Sequence, residues 1–240
     1  KLWNGSANDL LRLINYAKTD AELVLEIMLS KDYLSQYIEI SRLSGLLLQD
    51  VLSGAESARI EQFLLKEFNK NDFVIPNKPS KKELKEREKE EVKGAIVLDP
   101  KVGLHENVVY LDFKSLYPSL IIEYNICPTT YLGRSPNGLS SEEVIKSPID
   151  TFFVSKKVRE GIFPRVLKRL IEERDKVKKK MKEEQDPVKK NLLDAKQLAL
   201  KILANAFYGY TGYVRARFFV ADIANTITAY GRFWITKIKE

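Results

Sequence analysis

One cysteine, Cys127, and one histidine, His105, are all that 240 residues hold of either type. An internal disulfide and a thiolate metal cluster are therefore excluded. The lone histidine argues against Ser–His–Asp or Cys–His catalysis. No apolar run approaches the length of about 20 residues that a membrane-spanning helix needs, and the first residues show no secretory pattern. These absences set the expectation of an intracellular protein without a membrane partner. With 44% hydrophobic and 30% charged residues, the composition is globular rather than disordered. The net charge of +7 is compatible with nucleic acid but does not by itself identify it.

What is there divides along the chain. Asn8-Asp9 can cap a first helix, along which Leu10, Leu13, Ile14, Ala17, Ala21, Val24, Leu25 and Met28 recur at helical spacing. An apolar stretch from Leu43 to Leu52 ends at Ser53-Gly54, and a second helix is expected over Glu56 to Phe68, with Ile60, Phe63, Leu64 and Phe68 on one side. Ile75-Pro76-Asn77-Lys78-Pro79 then breaks structure. Lys81 to Glu91 is almost all charge and reads as a solvated linker or exposed helix.

Beyond it the period changes. Ala95-Ile96-Val97-Leu98 and Val108-Val109-Tyr110-Leu111 are short apolar runs that read as buried strands, the second ending on Asp112. Ile162, Val166, Leu167, Leu170 and Ile171 step along one helical face, and the pattern continues to about Glu184. Asp186-Pro187 breaks it, and a second long helix carries Leu192, Leu193, Leu198, Ile202 and Leu203. The expectation is a long antiparallel helical hairpin on a sheet-containing base. Tyr213 to Val220 alternates as a strand, and helix is expected from Ala221 onward.

Two groups of residues carry chemistry. In Asp112-Phe113-Lys114-Ser115-Leu116-Tyr117-Pro118-Ser119, a carboxylate at a strand end can hold magnesium against transferring phosphates. The turn after it aims backbone N–H groups outward, as a triphosphate requires, and Tyr117 can form a wall under a sugar. On the hairpin, Arg174 and Lys178 are four apart, as are Lys201 and Asn205 on the returning helix, so an antiparallel pairing brings the two faces together. Arginine grips phosphate as a fork and lysine as a point charge. Lys201 stands among the apolar Leu200, Ile202 and Leu203, unlike the solvated Lys176, Lys179, Lys180 and Lys182. At Tyr208-Gly209 a flat ring can lie beside a base with the backbone close in.

Both blocks closely resemble family B DNA polymerases, with wording nearest to archaeal replicative members. Asp112 to Ser119 resembles the family's D-x-x-S-L-Y-P-S motif A, and Lys201-Ile-Leu-Ala-Asn205-Ala206-Phe-Tyr208-Gly209 its K-x-x-x-N-S-x-Y-G motif B, with Ala206 at the serine position. Asn107 through Pro128 and Tyr208 through Arg217 read the same way. Tyr16-Ala-Lys-Thr-Asp20 is similar to the Y-x-x-x-D element of the proofreading exonuclease. Lys93-Gly94-Ala95 is similar to the Y-x-G-G/A element that couples DNA between the two active sites, with Val92 at the tyrosine position.

The resemblance implies an α+β fold: exonuclease-domain helices and a connection over residues 1–80, a charged linker over 81–93, palm over 94–159, a fingers hairpin over 160–210, and a return to palm over 211–240. It implies DNA-templated nucleotidyl transfer with two magnesium ions, for which manganese can substitute, in a cytoplasmic, nucleoid-associated enzyme. Asp112 would be the metal ligand, assisted by the Phe113 carbonyl. Ser115, Leu116, Tyr117, Arg174, Lys178, Lys201, Asn205 and Tyr208 would bind the nucleotide, with Lys201 donating to the leaving pyrophosphate. Tyr16 and Asp20, the latter a metal ligand, would belong to the exonuclease site, and Lys93, Gly94, Gly209 and Tyr210 would face DNA. The implied partners are primer–template DNA, deoxynucleoside triphosphates, a sliding clamp, and a second polypeptide or segment carrying the thumb and the Asp-Thr-Asp turn of motif C. The alternative is a catalytically silent polymerase-like module that binds nucleic acid or serves as a scaffold.

Overall fold

A computed structural model describes residues 2–239. After a short 3-10 turn at Leu2–Asn4 come α1 (Ala7–Ser30), α2 (Tyr33–Ser44), α3 (Leu48–Ser53), α4 (Glu56–Asn69), α5 (Lys81–Arg87) and α6 (Leu116–Glu123). Three strands follow, β1 (Tyr131–Gly133), β2 (Val144–Lys146) and β3 (Phe152–Val154). They form one antiparallel sheet in the order β1-β3-β2. The chain closes with α7 (Ile162–Glu183), α8 (Pro187–Thr211) and α9 (Ala221–Lys239). The architecture is α+β and mostly helical. No helix among the described residues is long and apolar enough to cross a membrane.

The helical hairpin follows from its caps and its stripe. Gly161 starts α7, Asp186 accepts from the Val188 and Lys189 N–H groups to cap α8, and Pro187 occupies the first position, where its missing N–H costs nothing. Ile162, Val166, Leu167 and Leu170 on α7 and Leu200, Leu203 and Phe207 on α8 are buried against each other. Ile60, Phe63, Leu64 and Phe68 of α4 join the same core, where Phe163 stands edge-on to both Phe207 and Phe68. One core therefore runs from α4 into the hairpin, across the charged segment at 81–91. Each such buried side chain contributes about 1.5–3 kcal/mol of transfer free energy.

The root of α7 is fixed by a buried asparagine. Asn125, in the left-handed region at φ 53°, donates to the Val154 carbonyl at 2.7 Å and the Arg159 carbonyl at 2.9 Å. Its Oδ1 accepts from the Gly161 N–H at 2.8 Å. One side chain thus joins β3, the loop beyond it and the first turn of α7.

Four expectations are corrected. Residues 95–98 and 108–111 are not buried strands: they run without strand pairing, and Val97, Val109 and Tyr110 are 90%, 79% and 88% exposed. A strand needs a neighbour to satisfy its alternate N–H and C=O groups, and no described strand lies alongside. Asp112 accordingly ends an exposed extended segment. Tyr213 to Val220 is a series of turns, with Ala216 N–H bonded to the Tyr213 carbonyl and Phe219 N–H to that of Ala216. Arg87 takes the Val214 and Ala216 carbonyls at 3.0 and 2.8 Å, where a neighbouring strand would otherwise donate. The turns there bury Ala216, Phe218 and Phe219 without a sheet. At α1 the cap is Ser6, not Asn8-Asp9: Ser6 accepts from Asp9 N–H, and the Asp9 carboxylate accepts from Ser6 N–H at 3.0 Å.

Candidate functional site

The loop at 112–115 and the helix it opens meet the hairpin in one cleft of about 570 Å³. It is lined by residues 112–118 together with Arg174 of α7 and Lys201 and Asn205 of α8. The local chemistry begins at Ser115, which takes φ 55° and ψ 56° and starts α6. This left-handed residue turns the chain sharply out of the extended segment. The Ser119 N–H returns to the Ser115 carbonyl at 2.9 Å, and the Ser119 hydroxyl donates to the Lys114 carbonyl at 3.1 Å. The amides of Leu116 and Tyr117 belong to the first turn, so no intrahelical carbonyl is available to them. Pro118 has no N–H to satisfy.

Arg174 is oriented from behind. Its Nε donates to Gln197 Oε1 at 3.2 Å, and Gln197 in turn donates from Nε2 to Asp194 Oδ1 at 2.8 Å. The terminal guanidinium nitrogens are thereby left toward the cleft. Lys201 and Asn205 are exposed on the same side of α8, one turn apart. Leu200 and Leu203 beside Lys201 are buried, so the lysine marks the edge between core and cleft. Lys178 is exposed one turn beyond Arg174 and does not line the cleft.

The Lys114 ammonium reaches across to α7 and pairs with Asp175 Oδ2 at 2.8 Å. That hydrogen bond, with the nearby charges of Arg174 and Lys178, holds the Asp175 carboxyl below the usual carboxylate range. The Tyr117 and Tyr208 rings lie side by side, centroids 4.4 Å apart at 34°. Burial and the neighbouring Tyr117 push the Tyr208 phenol above its ordinary value. Behind this pair α9 passes closely: a Cβ on Gly231 would stand 3.4 Å from Tyr117 Cε1.

The other sequence-derived positions lie apart. Tyr16 and Asp20 are exposed on α1, no residue of which is buried. No group of three or more His, Cys, Asp or Glu among the described residues is arranged to hold an ion. Lys93 and Gly94 sit on an exposed segment whose backbone is bonded to α9. Gly209 is exposed, whereas Tyr210 is buried with its hydroxyl 3.4 Å from Glu61 Oε2.

Against known proteins the match is extensive. The sequence model of DNA polymerase family B covers residues 46–240. The chain belongs to DNA polymerase family B. It is 42% identical over 230 residues to a DNA polymerase of Thermococcus gorgonarius, a match spanning 95% of this chain and 29% of that protein. It is 36% identical over 242 residues to the DNA polymerase delta catalytic subunit of Candida albicans, spanning 99% of this chain and 23% of that one. The solved family B DNA polymerase of the hyperthermophilic archaeon Pyrobaculum calidifontis superposes with a TM-score of 0.79 at 35% identity, covering 99% of this chain and 30% of that one. This family B chain therefore spans less than a third of the length of these relatives.

Several site residues escaped the sequence reading. Asp175 is 61 positions from Lys114, and an exposed acid on a Lys-rich helix gives no signal of such a pairing. Gln197 and Asp194 are three apart on α8, a spacing that suggests a mutual bond but not its service to Arg174.

Proposed function

We propose that this chain is the nucleotide-gripping portion of a DNA-directed DNA polymerase. The observation that carries the reading is the convergence of Asp112, Arg174, Lys201 and Asn205, drawn from three separate elements, on one cleft in a family B chain. The substrates are a primer–template duplex and a deoxynucleoside triphosphate.

The donor set at Asp112 fits magnesium. The carboxylate and the Phe113 carbonyl are hard oxygen donors, and magnesium is commonly held by one or two carboxylates plus substrate phosphates rather than by an all-protein cage. When bound, the metal would neutralise charge on the reacting phosphate and on the attacking and leaving oxygens. Every other role falls to side chains and amides of this chain. The Leu116 and Tyr117 amides, and the amide of Ser115 before them, offer donors to the β- and γ-phosphates at a helix N-terminus. Arg174, steadied by Gln197, forks a phosphate oxygen, with Lys178 adding charge one turn away. Asn205 binds alongside. As the primer 3′-hydroxyl attacks the α-phosphate, the bond to the β-phosphate oxygen breaks and Lys201 donates to the departing pyrophosphate. Tyr117 closes the floor below the sugar and excludes a 2′-hydroxyl, while Tyr208 backs it and flanks the nascent base pair with Asn205. Tyr16 and Asp20 would contribute to a linked 3′–5′ exonuclease in the full-length enzyme.

One carboxylate lines the cleft, and the two-metal reaction calls for more. Purified residues 1–240 are therefore expected to show no primer extension on a labelled primer–template. Addition of a polypeptide supplying the Asp-Thr-Asp strand pair is expected to restore it. Robust extension by the 240-residue chain alone would overturn this reading.

A further inference from the structure

Of the cations that line the cleft, one is already held by an acid. Arg174 donates its Nε to the neutral Gln197, and among the described residues neither Arg174 nor Lys201 is ion-paired. Lys114 differs: its ammonium leaves the loop, crosses to α7 and donates to Asp175 Oδ2 at 2.8 Å. The loop end of this tie is fixed, because the Ser119 hydroxyl donates to the Lys114 carbonyl. At the helix end, Asp175 follows Arg174 directly and stands three positions before Lys178. The Lys114 hydrogen bond first, and then the charges of Lys114, Arg174 and Lys178, hold the Asp175 carboxyl below the usual carboxylate range, so it is ionised at neutral pH. Carboxylate and phosphate oxygens take the same ammonium and guanidinium donors.

We propose that Asp175 is an affinity-setting residue, a tethered anion that a phosphate must displace from Lys114 on entry and that retakes Lys114 as the phosphate leaves. The inference rests on the reading of the cleft as a triphosphate site, and adds Lys114 to its donors. Stability gives the pair little reason to exist: the two side chains are 69% and 43% exposed, where an ion pair contributes little. Position gives it one. Lys114 lines the cleft beside Asp112, and Asp175 neighbours Arg174, which lines it from α7. The same exposure makes the exchange reversible, since little free energy is needed to part the two side chains. Tethering keeps the carboxylate at a high effective concentration, so it recaptures the ammonium as soon as a phosphate lets go. The device weakens binding and quickens release together.

The test uses the 240-residue chain and metal-free deoxyadenosine triphosphate, with Kd read by calorimetry and the dissociation rate by stopped-flow displacement. Asp175→Asn keeps the shape of the side chain, removes its charge and, at a position this exposed, leaves the fold intact. Its Kd is expected to be about three- to tenfold lower than the parent's, with slower dissociation, and the difference to fade as ionic strength rises to about 1 M. Glu173→Gln removes the same charge from an exposed site two positions away on the same helix, and is expected to leave Kd within about twofold of the parent's. Equal tightening in both variants would reduce the effect to net charge, and a parent-like or higher Kd in Asp175→Asn would show that the carboxylate does not compete; either result would overturn the proposal. Absence of triphosphate binding by both the parent and Asp175→Asn would instead remove the reading of the cleft itself, and the inference with it.

Discussion

The Tyr117 and Tyr208 rings, 91 positions apart in sequence, lie with centroids 4.4 Å apart at 34°. This contact joins the first turn of α6 to the last turns of α8, so the floor proposed for a bound sugar would be set by the hairpin as well as by the loop that carries Asp112. Removing the Tyr208 ring would take away one of the neighbours that hold Tyr117, the other being α9 at Gly231. Tyr117→Ala in the completed enzyme is expected to admit ribonucleotides, raising their kcat/KM relative to deoxynucleotides by at least tenfold. Tyr208→Ala is expected to move the same ratio in the same direction by less, because an aromatic pair contributes about 0.5–1.5 kcal/mol beyond its buried area. A Tyr208→Ala variant with full sugar discrimination would show that the ring contact has no bearing on the floor.

Asp112 tests enzyme against scaffold. Asp112→Asn preserves shape and removes the charge that a divalent ion requires. Extension by the completed complex is expected to fall at least a hundredfold, while triphosphate binding without divalent metal, measured by calorimetry, stays within about twofold. Undiminished extension would remove Asp112 from the mechanism and favour the silent module.

The Lys114–Asp175 pair stands 2.8 Å apart on the rim of the cleft, with both partners substantially exposed. Such a pair adds at most about 1 kcal/mol to stability, so in the proposed triphosphate site its consequence would be for charge beside the phosphates. Lys114→Ala leaves the Asp175 carboxylate beside Arg174 with one cation fewer and is expected to weaken triphosphate binding several-fold. Lys114→Ala with Asp175→Asn is expected to recover most of that loss, and both effects should shrink as ionic strength rises. A double variant no better than Lys114→Ala would locate the effect in Lys114 itself.

The hairpin was legible because its signals are local. Ile162, Val166, Leu167 and Leu170 repeat at the helical period and are buried together, and Asp186-Pro187 both ends one helix and starts the next. The convergence of the Arg174 and Lys201 faces follows from that geometry alone. The runs at 95–98 and 108–111 misled because a strand is defined by a partner, and β-branched composition says nothing about whether one is alongside. At 213–220 the period-two alternation holds only as far as Phe218, since Phe219 beside it is also buried, and Arg87, 127 and 129 positions away from its acceptors, satisfies the Val214 and Ala216 carbonyls. The contacts at the cleft, Lys114 to Asp175 and Arg174 to Gln197, join residues 61 and 23 positions apart and leave no periodic trace.

Glu67 offers a test of the frame beneath the site. Its side chain is 7% exposed, between α4 and α7, with Arg169 Nη2 at 2.8 Å and Lys70 Nζ at 3.5 Å. Burial pushes the carboxyl up, but the Arg169 hydrogen bond and the charges of Arg169 and Lys70 outweigh it, and the group is held below the ordinary glutamate value of 4.5. A lowered folded-state value means that the charged form stabilises the fold. That contribution is fully present above the unfolded-state value and is lost as pH falls through the folded one. Arg169→Ala strands a buried carboxylate with Lys70 as its remaining cation and is expected to cost about 1–3 kcal/mol at pH 7, seen as a lower urea midpoint. Glu67→Gln is expected to be less stable than the parent at pH 7, with the gap narrowing as the parent is acidified below about pH 4.5. A gap that stays constant from pH 7 to pH 3 would show that the Glu67 charge plays no part in joining α4 to α7.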